Sequence, residues 1–378
     1  MIYLDNSATS YPKPQSVRKA VNDAILYGAN PGRSGHKPSL YSSKIIYDCR
    51  KNICELVNAQ DPEQVIFTLN CTYAINMVLK GFLKPGDHVV ISDLEHNAVM
   101  RPLASLASKN ITYTAFHVYE NDSEKTLSGF RNAIKENTRL AVCTQVSNVW
   151  GIRLPVERIT ALCHQYGIPI LVDASQSVGT IEIDMQSSGF DFLCMPGHKG
   201  LYGPMGTGVM ICSSSEKLRT VIEGGTGSSS AYFEQPDILP DKFESGTPNV
   251  SGIAGLNAGV DFVRRNTCKK ILRHEISLLT MLYDRLSKLP NVILYTQRPD
   301  INTSGGVLSF NIKGTDSEEA AMILSEKYGI AVRAGLHCSP MAHKTFGTEK
   351  TGCIRVSPSY FTSINDINML VKAVYSIK

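Results

Sequence analysis

Short runs rich in Val, Ile and other strand formers alternate with helical stretches over the first two-thirds of the chain, and this rhythm limits the possible folds more than any other feature. The runs lie at 65–69, 88–92, 139–147, 168–174, 191–195 and 207–212, and helical patterns occupy 98–108 and 156–166 between them. Several runs are nearly continuous apolar segments, as expected of strands covered on both faces. Such β/α alternation predicts an α/β fold with a mostly parallel sheet between layers of helices. Near residue 260 the rhythm changes to long helices over 251–265 and 268–289. In the second helix Leu272, Leu278, Leu279, Leu282, Leu286 and Leu289 keep largely helical spacing. A smaller α+β unit follows, with segments at 306–312, 317–327, 330–334 and a last helix over 364–377. With 378 residues, the chain is long enough for two domains.

Composition narrows the function classes. Hydrophobic residues make up 43% and charged residues 19%, which excludes disorder as the main theme. The net charge of +4 comes with no basic run, so neither a nucleic-acid arm nor a polybasic membrane anchor is expected, and a small-molecule partner is. No stretch of about 18 apolar residues and no secretory core is present, so the chain reads as cytoplasmic. Ten cysteines occur without a Cys-x-x-Cys pair or another metal-ligand cadence, so no metal is expected. In a reducing compartment most of them are small buried hydrophobes.

Ligands of open α/β sheets bind at the carboxyl ends of the strands. One strand end leads through Asn70, Cys71 and Thr72 into a helix, where free amides and a hydroxyl suit a phosphate, although Asn-x-Thr there also reads as a plain N-cap. A buried run ends in Asp173, followed by Ser175 and Gln176; an ionised carboxylate in that setting needs a cationic partner. The next strand ends in a Pro-Gly turn presenting His198 and Lys199. A Lys and an Asp at adjacent strand ends are what pyridoxal 5′-phosphate requires, the Lys for the Schiff base and the Asp for the pyridinium nitrogen. His96, after another strand, offers an imidazole that can stack on a pyridine ring and move protons.

Six ordered blocks carry a family resemblance: Tyr3-Leu4-Asp5-Asn6-Ser7-Ala8-Thr9, Glu95-His96-Asn97-Ala98, Val146-Ser147-Asn148-Val149-Trp150-Gly151, Val172-Asp173-Ala174-Ser175-Gln176, Gly197-His198-Lys199 and Phe243-Glu244-Ser245-Gly246-Thr247-Pro248-Asn249. The chain resembles, end to end, the class V pyridoxal-phosphate enzymes of the cysteine desulfurase and selenocysteine lyase family. The resemblance implies the type I fold of these transferases: a large cofactor domain over 15–260 with a seven-stranded, mostly parallel sheet, and a small domain made of 1–14 and 261–378. It implies Lys199 as the Schiff-base lysine, Asp173 at the pyridine nitrogen and His96 as the stacking histidine. Gln176 and Asn148 would contact the phenolic oxygen, Asn148 also the substrate, while Cys71, Thr72 and His198 would form the phosphate cup. Thr247 looks like the threonine that reaches the neighbouring subunit's phosphate, which implies a homodimer. Relatives often carry Ser or Thr at Pro196 and Thr at Cys71, so this cup lacks hydroxyls that theirs have.

The segment Ile330-Ala331-Val332-Arg333-Ala334-Gly335-Leu336-His337-Cys338-Ser339-Pro340 resembles the stretch holding the desulfurase nucleophile, here Cys338. Gly352-Cys353-Ile354-Arg355-Val356-Ser357 resembles the block whose arginine clamps the substrate carboxylate, here Arg355. The short interval between them is similar to the group with a short cysteine loop. The implied reaction takes sulfur from L-cysteine, leaves L-alanine and forms a persulfide on Cys338 for an acceptor protein that the sequence does not identify. Lys199 would move the α-proton, with His96 as proton donor or relay, and His337, Arg333 and Arg355 are the candidate cations beside the thiol. Selenocysteine lyase chemistry on L-selenocysteine, a class V aminotransferase and a non-catalytic cofactor-binding scaffold are the alternatives.

Overall fold

The computed structural model describes residues 1–32, 34–213 and 215–377. A seven-stranded sheet forms its centre, in the order Val65–Thr68, Gly208–Cys212, Phe192–Pro196, Ile170–Asp173, Thr138–Thr144, His88–Ser92, Thr112–Phe116. Six strands run parallel and Gly208–Cys212 is antiparallel to both of its neighbours. The strands His88–Ser92, Ile170–Asp173, Phe192–Pro196 and Gly208–Cys212 are buried throughout, which is why their sequences read as unbroken apolar runs. One face is covered by the helices Cys71–Phe82 and Asn97–Leu106, through residues such as Ile75, Leu79 and Leu103. The helices Lys37–Leu56, Val156–Gln165 and Val250–Asn266 cover the other.

The edge strand Thr112–Phe116 was not legible in the sequence, because most of its side chains face water and only Phe116 is fully buried. The helices Gln15–Tyr27 and Lys37–Leu56, likewise unread, pack on Val250–Asn266. That helix runs through residue 260, where the sequence rhythm changes, and stops at Thr267, whose φ of 61° breaks the helical path before Cys268–Leu286 begins.

A second, antiparallel sheet has the order Ile354–Val356, Leu308–Ile312, Val292–Leu294. Leu278, Leu279, Leu282 and Leu286 of the long helix bury against it together with Ile367 and Leu370 of Ile364–Ser376. Leu272, nearly two turns earlier, packs instead beside Val146 and Ile181. The first residues of the chain join this second unit: Ile2–Tyr3 pairs in parallel with Ile330–Ala331, and Leu4 enters its core. Among the described residues no helix is long and apolar enough to cross a membrane.

His88 opens its strand with its side chain buried and both ring nitrogens hydrogen-bonded, Nδ1 to Thr138 Oγ1 at 2.9 Å and Nε2 to Thr114 Oγ1 at 2.8 Å. Burial, with Lys135 nearby, lowers its pKa to about 4. The folded protein therefore binds that proton more weakly than the unfolded chain, whose histidine titrates near 6.5. Stability contributed by neutral His88 is complete above pH 6.5 and is lost as pH falls towards 4, with a limiting slope of about 1.4 kcal/mol per pH unit. Urea midpoints measured from pH 7.5 to 4.5 should fall less steeply for His88→Gln than for the natural chain.

Candidate active site

Four parallel strands deliver the site. His96 follows His88–Ser92, Asn148 follows Thr138–Thr144, Asp173 ends Ile170–Asp173, and Lys199 follows Phe192–Pro196. Their side chains line one cavity of about 90 Å³, together with Asn70, Cys71, Thr72, Thr144, Gln176, Pro196 and His198. Nine residues singled out from the sequence (Cys71, Thr72, His96, Asn148, Asp173, Gln176, Pro196, His198 and Lys199) thus share one chamber.

Lys199 is seated by a close backbone approach. A Cβ on Gly200 would stand 2.1 Å from the Val178 carbonyl oxygen, and one on Gly179, at φ +85°, 2.2 Å from the carbonyl of Gly200. Two glycines let the lysine turn lie directly on the turn after Asp173. Burial pulls the Lys199 pKa below the usual lysine value, and the Asp173 carboxylate pulls it back up. Asp173 Oδ1 accepts from the Ser175 amide at 2.9 Å and lies 3.5 Å from Cys71 Sγ. Burial and that carboxylate push the Cys71 thiol well above its usual range, so it stays protonated.

His96 has one fixed neutral tautomer. Its Nδ1 accepts from the Ala98 amide at 3.0 Å, capping Asn97–Leu106, which leaves the proton on Nε2. Burial lowers its pKa to about 4, so the ring is neutral at pH 7. Asn70 caps Cys71–Phe82 by accepting from the Tyr73 amide at 3.0 Å, so the plain N-cap role is also present. Asn70, Cys71 and Thr72, at the start of that helix, line the cavity, and first-turn amides of a helix lack intrahelical partners. His198, neutral with a pKa lowered to about 4 by burial and the nearby Lys199, has a buried Nδ1 without a hydrogen-bond partner. Gln176 donates to the Ser7 carbonyl at 3.2 Å, bringing the first residues of the chain to the chamber.

Cys338 lies outside this cavity but close to it. It lines a wider groove of about 330 Å³ that shares Thr72, His96 and Ala98 with the Lys199 chamber. Of the ten cysteines it is the exposed one; the other nine are buried. His337 and Cys338 both adopt left-handed conformations, φ 51° and 57°, each costing about 1–2 kcal/mol for a residue with a Cβ. The surroundings hold them there: the Asn97 amide donates to the Cys338 carbonyl at 2.8 Å, Asn148 Nδ2 to the His337 carbonyl at 2.8 Å, and Ser339 Oγ to Asn148 Oδ1 at 2.7 Å. Asn148 therefore ties the cysteine loop to the sheet as well as lining the chamber.

Arg355 is buried on Ile354–Val356. Its Nη2 pairs with Asp5 Oδ1 at 2.8 Å and its Nη1 donates to the Asn148 carbonyl at 2.9 Å, while Nε has no partner. Asp5, within a block quoted for its order alone, is the anchor that sequence reasoning passed over. Glu95 is another such residue. It is buried, accepts from the Ser92 hydroxyl and the Thr144 amide, and burial raises its pKa to about 8. His337 is not a cation at neutral pH: burial and Arg355 push its pKa down to about 3. Thr247 sits apart, exposed on a different groove of about 300 Å³ lined by Phe67, Leu69, Tyr73, Met77 and Phe243.

The aminotransferase class-V family matches residues 2–370. A probable cysteine desulfurase of Methanothermobacter thermautotrophicus is 33% identical, covering 100% of this chain and 94% of that protein. A cysteine desulfurase of Wigglesworthia glossinidia brevipalpis is 31% identical over 100% of this chain and 93% of its own. Among solved structures, the apo cysteine desulfurase of Thermococcus onnurineus superposes with a TM-score of 0.90 at 30% identity, over 99% of this chain and 94% of that one. An S-sulfonic acid form of an Escherichia coli cysteine desulfurase gives 0.87 at 28% identity, over 98% and 93%.

Proposed function

The chain belongs to the aminotransferase class-V family, among its cysteine desulfurases, and on that premise we propose that it binds pyridoxal 5′-phosphate in the Lys199 chamber and loads sulfur onto Cys338. The observation that carries this reading is one exposed cysteine, on a strained and clamped loop, in a groove that shares His96 with the chamber of Lys199 and Asp173.

The donors present fit the cofactor. The orphaned His198 Nδ1, the Thr72 hydroxyl and the amides at the start of Cys71–Phe82 suit a phosphate. In this reading Asp173 would hold a protonated ring nitrogen, His96 would stack on the ring, and Gln176 and Asn148 would meet the phenolic oxygen; all four line the same chamber. When bound, the cofactor supplies an electron sink for charge developing at the substrate α-carbon. Lys199, its basicity reduced by burial, accepts the α-proton on Nζ. Neutral His96, with Nδ1 held by the Ala98 amide, serves as a hydrogen-bond donor through Nε2 and not as an acid; the proton for the β-carbon comes from Lys199 Nζ, which has taken one from the α-carbon. The Cys338 thiolate attacks the substrate sulfur, so that L-cysteine and the thiol become L-alanine and a Cys338 persulfide, with no net change of redox state.

Arg355 is proposed to clamp the substrate carboxylate. Its fork is oriented by one contact each to Asp5 and the Asn148 carbonyl, and a bidentate, charge-assisted hold on a substrate carboxylate would be lost in a lysine. Arg355→Lys should raise KM for L-cysteine by about 10- to 100-fold, as the loss of roughly 1.5–3 kcal/mol requires, with a smaller effect on kcat. Steady-state kinetics read this directly, and an unchanged KM would remove Arg355 from the substrate site.

In this proposal residues 15–260 hold the cofactor, while 1–14 with 261–378 bring Cys338 and Arg355 to it. Thr247, too far round the surface to line its own chamber, is proposed to serve the chamber of a second copy in a homodimer. The overall reading is tested by product analysis with L-cysteine and L-selenocysteine, with and without reductant. Alanine from cysteine, accelerated by reductant that discharges the persulfide, is the expected result; pyruvate formation dependent on an amino acceptor would indicate transamination instead.

A further inference from the structure

Behind the Cys338 loop, three donor groups converge that the desulfurase reaction does not use. The ligand atoms of His337, His343 and Cys353 lie within 4.8 Å of one another, and all three residues are buried. Sequence spacing gave no hint of this, because the three come from separate segments: the cysteine loop, the short helix Pro340–Thr345 and the residue just before Ile354–Val356. The segments are locked together at the backbone. The Cys353 amide donates to the Gly335 carbonyl at 3.2 Å, and Gly352, at φ +59°, lies so near Gly335 that a Cβ would come within 2.7 Å of its Cα.

Both imidazoles are oriented as metal ligands usually are, with one nitrogen engaged by the protein and the other left open. His337 Nδ1 stands 2.7 Å from the Gly335 carbonyl, which can only accept, so the proton is on Nδ1 and Nε2 carries a lone pair. His343 Nδ1 is 2.8 Å from Thr348 Oγ1. Nε2 of each ring is buried with no hydrogen-bond partner. The rings lie 5.8 Å apart and nearly parallel, at 24°, and Trp150 closes one side at 5.5 Å from His343. Two unpartnered buried ring nitrogens beside a thiol, that of His337 fixed as a lone-pair acceptor, are costly unless something occupies them.

We propose that His337, His343 and Cys353 form a binding site for a soft d10 cation, Cu⁺ or Zn²⁺, on the inner side of the nucleophile loop. Two imidazoles and a thiolate suit these ions, and metal–ligand bonds of about 2.0–2.3 Å need the donor atoms to close by roughly 1 Å. Binding displaces the Cys353 thiol proton to solvent. With Cu⁺ the buried site is neutral; with Zn²⁺ it keeps one positive charge near Arg355, so Cu⁺ is expected to bind more tightly. The bound ion would fasten His337, and with it the backbone that carries Cys338, to the strand and helix behind.

The test uses the reduced, metal-free holoenzyme in a Cys338→Ala background, which removes the exposed thiol. Anaerobic titration with Cu⁺ against a competing chromophoric chelator, and separately with Zn²⁺, should give one equivalent bound in this parent. Adding Cys353→Ser or His343→Gln should weaken it by about 10- to 100-fold or more. X-ray absorption on the loaded parent, which does not depend on how the variants fold, should show one sulfur and two nitrogen neighbours. No bound equivalent, binding indifferent to both substitutions, or a shell of different composition would overturn the site.

Discussion

Lys199→Ala is expected to lower alanine release from L-cysteine by about 10⁴-fold, the scale of losing a positioned general base together with its covalent anchorage of the cofactor. The effect is large because the structure offers no substitute at that position. His96 and His198, the imidazoles lining the chamber, both have pKa values lowered to about 4 by burial, and His96 Nδ1 is also occupied by the Ala98 amide, so neither is an adequate base at neutral pH. Cofactor content after dialysis should fall less than activity, because the phosphate and ring contacts proposed for His198, Thr72 and Asp173 remain in place. Alanine release within tenfold of the natural enzyme would remove Lys199 from the α-proton step. Loss of cofactor and fold together would show that its role is structural.

Cys338→Ser should be nearly as damaging with L-cysteine, reducing alanine formation by about 10³-fold or more, since a serine hydroxyl cannot accept a sulfur atom. The substitution leaves the loop backbone intact: the clamps from Asn97, Asn148 and Ser339 hold main-chain and neighbouring atoms, not Sγ. Cofactor binding and thermal midpoint should therefore stay close to those of the natural protein. Turnover of L-selenocysteine would survive if selenium leaves without a protein thiol, which separates the desulfurase and selenocysteine lyase readings. Retained cysteine turnover in this variant would place sulfur acceptance elsewhere, although the nine remaining cysteines are all buried.

Much of this was readable from the chain before its structure. Buried parallel strands advertise themselves as apolar runs, and polar residues at their carboxyl ends are few enough to stand out, so Asp173, Lys199 and His96 could be singled out there, although their roles came from the family resemblance and not from position. What stayed hidden depends on tertiary contact. Asp5 is distant in sequence from Arg355, and only the parallel pairing of Ile2–Tyr3 with Ile330–Ala331 brings the two ends of the chain together. The additional role of Asn148, holding His337 and Ser339, could not follow from a motif that marks it as a cofactor contact. The strand Thr112–Phe116 escaped because an edge strand facing water carries no apolar signature. The grouping of His337, His343 and Cys353 is the clearest case: a search for metal-ligand cadence scans along the chain, and these donors meet only across three folded segments.

The most direct test of the account is the mass of the peptide carrying Cys338 after one turnover of L-cysteine without reductant or acceptor. This peptide should become one sulfur atom heavier, the added sulfur should be removed by reductant, and the peptides carrying the other cysteines should be unchanged. An unmodified Cys338 peptide alongside a stoichiometric yield of alanine, or the added sulfur on any other cysteine, would contradict it.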